Sequence, residues 1–254
     1  LMIETHCHLD YLKQAPLAEI IQMSKQAGID KIITIGVDPD NLDLVFEIAK
    51  NHNDIYATQG IHPHDAIKAK DADLTKIAQR MGHPKIVAVG EIGLDFYYNH
   101  SPKDVQIDLF EKQLEIAIQK NKPVVIHSRD ADLEMMEILE KYQARMTRKG
   151  VVHSFSSGLE LAQKAITWGF MLGFNGMVTF KSAENVRAAV ELCPLEQILL
   201  ETDAPFLTPV PHRGKENAPF YLPFIAHKVA EIKQLDQQKV IDITTQNAEK
   251  LFRF

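Results

Sequence analysis

The sequence has little of what marks a secreted, membrane-spanning or modular protein. It holds only two cysteines, Cys7 and Cys193, far apart in the chain. No secretory signal is legible before the first apolar run, so a disulfide framework has no support and a cytoplasmic protein is expected. No apolar run approaches the roughly 20 residues that cross a bilayer, so no membrane association is expected. Ser/Gly tracts, charge blocks and fixed-period repeats are also missing, which leaves no linker and favours one domain over residues 1–254. Nor is there an excess of positive charge: 28 Lys and Arg stand against 34 Asp and Glu, a formal net charge of −6. That balance excludes a broad cationic face gripping duplex DNA through many phosphates, so any nucleic-acid contact has to be small and local. Nothing points to an obligate protein partner.

What the sequence does have is alternation. Short β-branched or apolar runs recur at 3–6, 31–37, 55–61, 86–91, 124–127, 151–153, 170–174 and 198–201. Helix-like segments separate them, with apolar residues three and four apart, as at Ile107, Phe110, Leu114, Ile116 and Ile118. Strands joined by helical crossovers run parallel, and eight such units suggest closure into a (β/α)₈ barrel, an α/β architecture that routinely takes about 250 residues. Ser101-Pro102 reads as a cap followed by a first-turn proline, Ser182 precedes another helix start, and the segment 222–254 reads as two helices with Asp236 capping the last.

Chemistry-bearing side chains fall at one position of this repeat. In Glu4-Thr5-His6-Cys7-His8, period-two alternation sends His6 and His8 to one side and Cys7 to the other. Paired imidazoles near a barrel mouth suit a borderline cation such as zinc. Later strand ends add His62 and His64, then Glu91, His127, His153 and Asp203. Burying such carboxylates without partners costs several kcal/mol each, and divalent cations would compensate them. His52, His83, His100 and His227 sit outside any such motif and are expected at the solvated surface.

These residues and their settings resemble the TatD family of metal-dependent deoxyribonucleases, within the amidohydrolase-like barrels. The resemblance covers almost the whole chain, through Thr5-His6-Cys7-His8-Leu9-Asp10, Gly60-Ile61-His62-Pro63-His64, Gly90-Glu91-Ile92-Gly93-Leu94-Asp95, Ile126-His127-Ser128-Arg129, His153-Ser154-Phe155-Ser156, Glu201-Thr202-Asp203-Ala204-Pro205 and the segment Arg213-Gly214-Lys215 with Asn217 close behind. The family's opening motif commonly carries Asp where this chain has Glu4. The resemblance implies two divalent cations, one held by His6, His8 and Asp203 and the other by His127 and His153, with Glu91 bridging them. The metal could be zinc, magnesium or manganese. Two cations about 3.5–4 Å apart suit an in-line phosphoryl displacement. Glu91 and Asp203 would then be the catalytic carboxylates, Asp203 receiving a proton from water or orienting it.

Substrate phosphate is expected to meet His62, His64, Arg129 and Arg213, with Lys215 adding charge. Phe96, Tyr97 and Tyr98 are candidates to stack on an unpaired base. The activity expected is 3′–5′ exonuclease-like cleavage of DNA, on a single strand or a strand end. The principal alternative is an amide or ester hydrolase of the same barrel, such as a deacylase of aminoacyl-tRNA, because related metal sites polarise carbonyls. A barrel that has lost catalysis and only binds metal is disfavoured, since all six ligand residues are in place.

Overall fold

The computed structural model describes all 254 residues. Eight strands, β1 (Met2–Cys7), β2 (Ile29–Thr34), β3 (Ile55–Gln59), β4 (Ile86–Asp95), β5 (Val124–Arg129), β6 (Gly150–Val152), β7 (Met171–Phe174) and β8 (Ile198–Leu200), pair in sequence order, all parallel. Helices α1 (Leu17–Gln26), α2 (Leu42–Asn51), α3 (Asp71–Arg80), α4 (Lys103–Lys120), α5 (Asp132–Tyr142), α6 (Leu159–Thr167) and α7 (Glu184–Leu192) provide the crossovers, and α8 (Leu222–Lys233) and α9 (Gln237–Phe252) complete the chain. The fold is thus the (β/α)₈ barrel that the alternation implies.

The seam between β8 and β1 is joined by individual bonds. Asp203 N–H donates to the His6 carbonyl at 2.9 Å, His8 N–H to the Ala204 carbonyl at 2.8 Å, and the Thr5 hydroxyl to the Leu200 carbonyl at 2.8 Å. The Glu4 carboxylate accepts from the backbone N–H groups of both His6 and Thr202 at 3.0 Å. Glu4 therefore staples the seam and fixes the backbone beside His6. Full burial pushes its carboxyl up to about 8, against the lowering effect of those hydrogen bonds.

Two apolar layers surround the strands. The larger lies between strands and helices and contains Cys7, Val124, Ile126, Leu172 and Leu200; Cys193 is buried there too. The smaller fills the barrel interior with Ile3, Ile33, Val125, Val151, Met171 and Leu199, and Leu251 and Phe252 of α9 close its floor. Simple alternation from Ile3 would turn Cys7 inward. A register irregularity between Glu4 and Cys7 reverses the parity, so Cys7 packs outward and His6 and His8 reach the site.

Helix boundaries correct the expectation at two points. Ser101 does not cap α4, which begins at Lys103 with Pro102 at the cap position. Its hydroxyl instead donates to the His64 carbonyl and accepts from Ile67 N–H, both at 3.0 Å, tying the loop after β4 to the turn after β3. Ser182 precedes α7 as expected but supplies no cap, because Ala183 occupies that position. Asp236 does cap α9, accepting from the N–H groups of Gln238 and Lys239.

The buried face of α4 also differs from the apolar set read in the sequence. Phe110 and Leu114 belong to it, whereas Ile107, Ile116 and Ile118 are only partly buried, and Gln106 and Gln113 are buried beside Leu109 and Ala117. Gln113 exchanges two hydrogen bonds with the Ile61 backbone at 2.8 and 3.0 Å, and Gln106 does the same with Asp95 at 2.9 and 3.0 Å. These amides hold the ends of β3 and β4 where His62 and Asp95 emerge.

Candidate metal centre

Glu91 stands at the centre of the barrel mouth, and its two carboxylate oxygens face different groups. Oε2 lies 3.3 Å from His6 Nε2. On the same side, Asp203 Oδ1 lies 3.5 Å from His6 Nε2 and 3.3 Å from His8 Nε2. Oε1 faces His153 Nε2 at 2.7 Å, His127 Nδ1 at 3.1 Å and His62 Nε2 at 3.4 Å. The donor atoms of His6, His8 and Asp203 form one compact set, and those of His62, Glu91 and His127 another. A third set, His6, His153 and Glu201, shares His6 with the first and lies against Glu91.

Burial opposes charge on Glu91 and Asp203, yet both carboxyls are held below their usual range. Against that burial, His153, His62 and His6, with a hydrogen bond from His127, hold the Glu91 carboxyl well below its usual range. Asp203 is lowered in the same way, burial being outweighed by the bond from His8 and the charges of His6 and His153. Burial and the neighbouring His127 bring His62 down to about 4, and burial with His153 lowers His6. Neutral imidazoles are the form that ligates a cation. His8, His127 and His153 move up instead, His153 well above its usual value, because Asp203 in the first case, Asp95 with Glu91 in the second and Glu91 with Glu201 in the third outweigh burial.

Several buried polar atoms here have no hydrogen-bond partner: both ring nitrogens of His6, Nδ1 of His8 and of His153, and Oε2 of Glu201. Buried polar groups are almost always satisfied, and a concentration of orphans at one spot calls for a missing partner. Imidazole and carboxylate donors in two compact sets are the ligands that divalent cations take. The residues present therefore fit metal ions.

All six expected ligands, His6, His8, Glu91, His127, His153 and Asp203, come together in this cluster. His62, expected on substrate phosphate, lies instead within the second donor set. His64 stands just outside, its Nε2 2.9 Å from Asp95 Oδ2. Arg129 is exposed at the mouth with its guanidinium 4.0 Å from the Tyr97 ring centre and 5.0 Å from that of Tyr98. Tyr97 and Tyr98 are exposed, while Phe96 packs against the core and carries Lys103 over its ring. Arg213 is not brought to the cluster: its guanidinium lies 3.9 Å from the Phe180 ring centre and donates to the Thr208 carbonyl at 3.0 Å. Lys215 is exposed, and its carbonyl accepts from the Thr208 hydroxyl. Of the histidines assigned to the surface, His100 and His227 are exposed and His52 and His83 half-buried, and His100 packs edge-on to His64 at 4.8 Å.

Two carboxylates in this site were missed in the sequence. Asp95 accepts from His127 Nε2 at 2.8 Å and from the N–H groups of Tyr97 and Tyr98. Glu201 lies 3.4 Å from His153 Nδ1 and accepts from Ser154 N–H at 2.5 Å, with the Asn175 amide 3.5 Å away. Asp95 stands behind His127, whose other nitrogen faces Glu91, an arrangement that fixes tautomer and ring orientation, and Glu201 lies beside the far nitrogen of His153.

A family model described as TatD related DNase matches residues 3–253. The chain belongs to the TatD family. Among its relatives, the metal-dependent hydrolase YabD of Bacillus subtilis is 37% identical over 254 residues, covering 100% of this chain and 99% of that protein. The metal-dependent hydrolase YcfH of Escherichia coli K12 is 35% identical over 257 residues, covering 99% of this chain and 95% of the relative. The crystal structure of YjjV, a TatD homolog from the same organism, superposes with a TM-score of 0.93 at 30% identity, covering 100% of this chain and 98% of that one. Membership of the TatD family places the chain among metal-dependent hydrolases. No helix is long and apolar enough to cross a membrane.

Proposed function

We propose that this TatD-family chain hydrolyses phosphodiester bonds of DNA, removing nucleotides from the end of a single strand. The observation that carries the reading is the placement of Glu91, whose two oxygens face two separate donor sets at the mouth of the barrel. His6, His8 and Asp203 would hold one divalent cation, and His127 and His153, with His62 at hand, the other. Bound there, the cations would supply Lewis acidity toward the phosphoryl oxygens and lower the pKa of water.

The chain's own groups define the rest. Asp203 is held ionised and keeps a small part of its carboxylate open at the mouth, so it suits accepting a proton from an attacking water or orienting that water. Asp95 keeps His127 and His64 oriented. Arg129, spread against Tyr97 at the rim, offers a planar fork to a phosphate. A polar hollow beside it is lined by Ser128, Asp130, Asp132, Ser156 and Gly158 and by no apolar residue. With Arg213 engaged elsewhere, the cationic groups at the mouth are too few for a long footprint, which supports action at a strand end.

The test compares His6→Ala, Glu91→Ala and Asp203→Ala with wild type on linear single-stranded DNA in added Mg²⁺, Mn²⁺ or Zn²⁺. Each variant should lose at least about a hundredfold in kcat. Retained activity in all three contradicts the site. Equal cutting of circular and linear strands contradicts attack from an end. Turnover of aminoacyl esters with no cleavage of DNA would transfer the same centre to carbonyl chemistry.

A further inference from the structure

Phe206 is a large apolar side chain left 52% exposed beside the metal centre. It follows Asp203 by three residues, and its ring lies edge-on to His8 at 6.0 Å and to Tyr11 at 6.5 Å. Tyr11 in turn lies nearly parallel to the His8 ring, at 5.1 Å and 12°. The aromatic surface therefore borders the end of the cluster formed by His6, His8 and Asp203. Tyr98 with Arg129 borders the other end, where its ring meets His64 at 5.4 Å.

The loop carrying Phe206 is fixed rather than loose. Phe206 N–H donates to the Asp203 carbonyl at 3.0 Å, and its own carbonyl accepts from the buried Asn217 amide at 2.6 Å. Asn217 also donates to the Thr202 carbonyl at 2.9 Å, and Arg213 braces the Thr208 carbonyl. Leu207 has φ of +56°, and its carbonyl lies so close to Gly176 that a Cβ there would collide with it. The Arg213 to Asn217 segment thus serves to hold Asp203 and Phe206 in one rigid arc. The ring is thus held by one edge against His8 and Tyr11, with about half of it open to solvent.

Resting on the nuclease reading, we propose that Phe206, with Tyr11 behind it, is a stacking platform for the unpaired base of the nucleotide at the His8 end of the scissile phosphate, and so selects single strands over duplex. Every base presents a π-face, so such a platform binds without sequence preference. A paired base, already stacked in a helix, cannot use it.

The test measures KM, and Kd by fluorescence anisotropy, for wild type, Phe206→Ala and Phe206→Trp on a single-stranded oligodeoxynucleotide and on copies carrying one abasic residue stepped along the end. Wild type should lose about tenfold in affinity when the abasic residue occupies one particular position. Phe206→Ala should lose as much on the intact strand and nothing further on that abasic copy, and Phe206→Trp should restore binding, which also excludes misfolding as the cause. If wild type cleaves DNA but ignores both the abasic residue and the loss of the ring, the platform is wrong. If Phe206→Ala weakens intact and abasic strands equally, the ring does not meet a base and the proposal is again overturned. If wild type neither binds nor cleaves DNA, the nuclease reading itself fails and this inference falls with it.

Discussion

At the scale of single residues, the centre depends on more than the six expected ligands. Glu201 is buried behind His153, and it fits only because residue 173 is glycine: a Cβ there would collide with the Glu201 carboxylate. Gly173→Ala should therefore displace Glu201 from beside His153, and Glu201→Gln should remove its charge from the same place. Both should lower divalent-cation affinity about 10- to 100-fold, read by competition with a chelating dye on folded protein, and unchanged affinity would contradict the role given to Glu201. The clustering of the six expected ligand residues was legible because histidines and carboxylates recur at one place in a repeating unit. Glu201 and Asp95 were not, since a carboxylate two residues before Asp203 or four after Glu91 has no spacing of its own. Their partners come from other strands, and only the folded barrel brings His153 and Asn175 around Glu201. For Arg213, charge alone suggested phosphate, and the contacts with Phe180 and the Thr208 carbonyl could not be read from the sequence.

At the scale of elements, strand order and type followed from alternation, while the ends of the elements depended on contacts distant in sequence. Ser101 had a cap-like setting, but its hydroxyl is taken by the His64 carbonyl and Ile67 N–H. The face of α4 was misread because two of its buried positions are glutamines, which no apolar pattern reveals, and which are buried only because the ends of β3 and β4 offer them unpaired backbone groups. The floor of the barrel was likewise invisible, since nothing in the last helix states that Leu251 and Phe252 close the interior opposite the metal mouth. Phe252 is 1% exposed, so Phe252→Ala should cost about 3–5 kcal/mol of folding free energy in a denaturant titration. A loss under about 1 kcal/mol would mean that the floor is not a packed part of the core.

At the scale of the whole molecule, an acidic chain carries a centre in which charge is paired locally. The net charge of −6 excludes a broad grip on nucleic acid, yet it is compatible with a site that takes one strand end. The barrel makes this possible by gathering β1, β3, β4, β5, β6 and β8 ends into one mouth, with Glu91 between the two donor sets. The most direct measurement is calorimetric titration of metal-stripped wild type and Glu91→Ala with Mn²⁺ and Zn²⁺. Wild type should saturate at two cations per chain, and Glu91→Ala should fail to hold both. Saturation of wild type at one cation or none, or a Glu91→Ala protein that takes two with unchanged affinity, would contradict a centre built around a shared carboxylate.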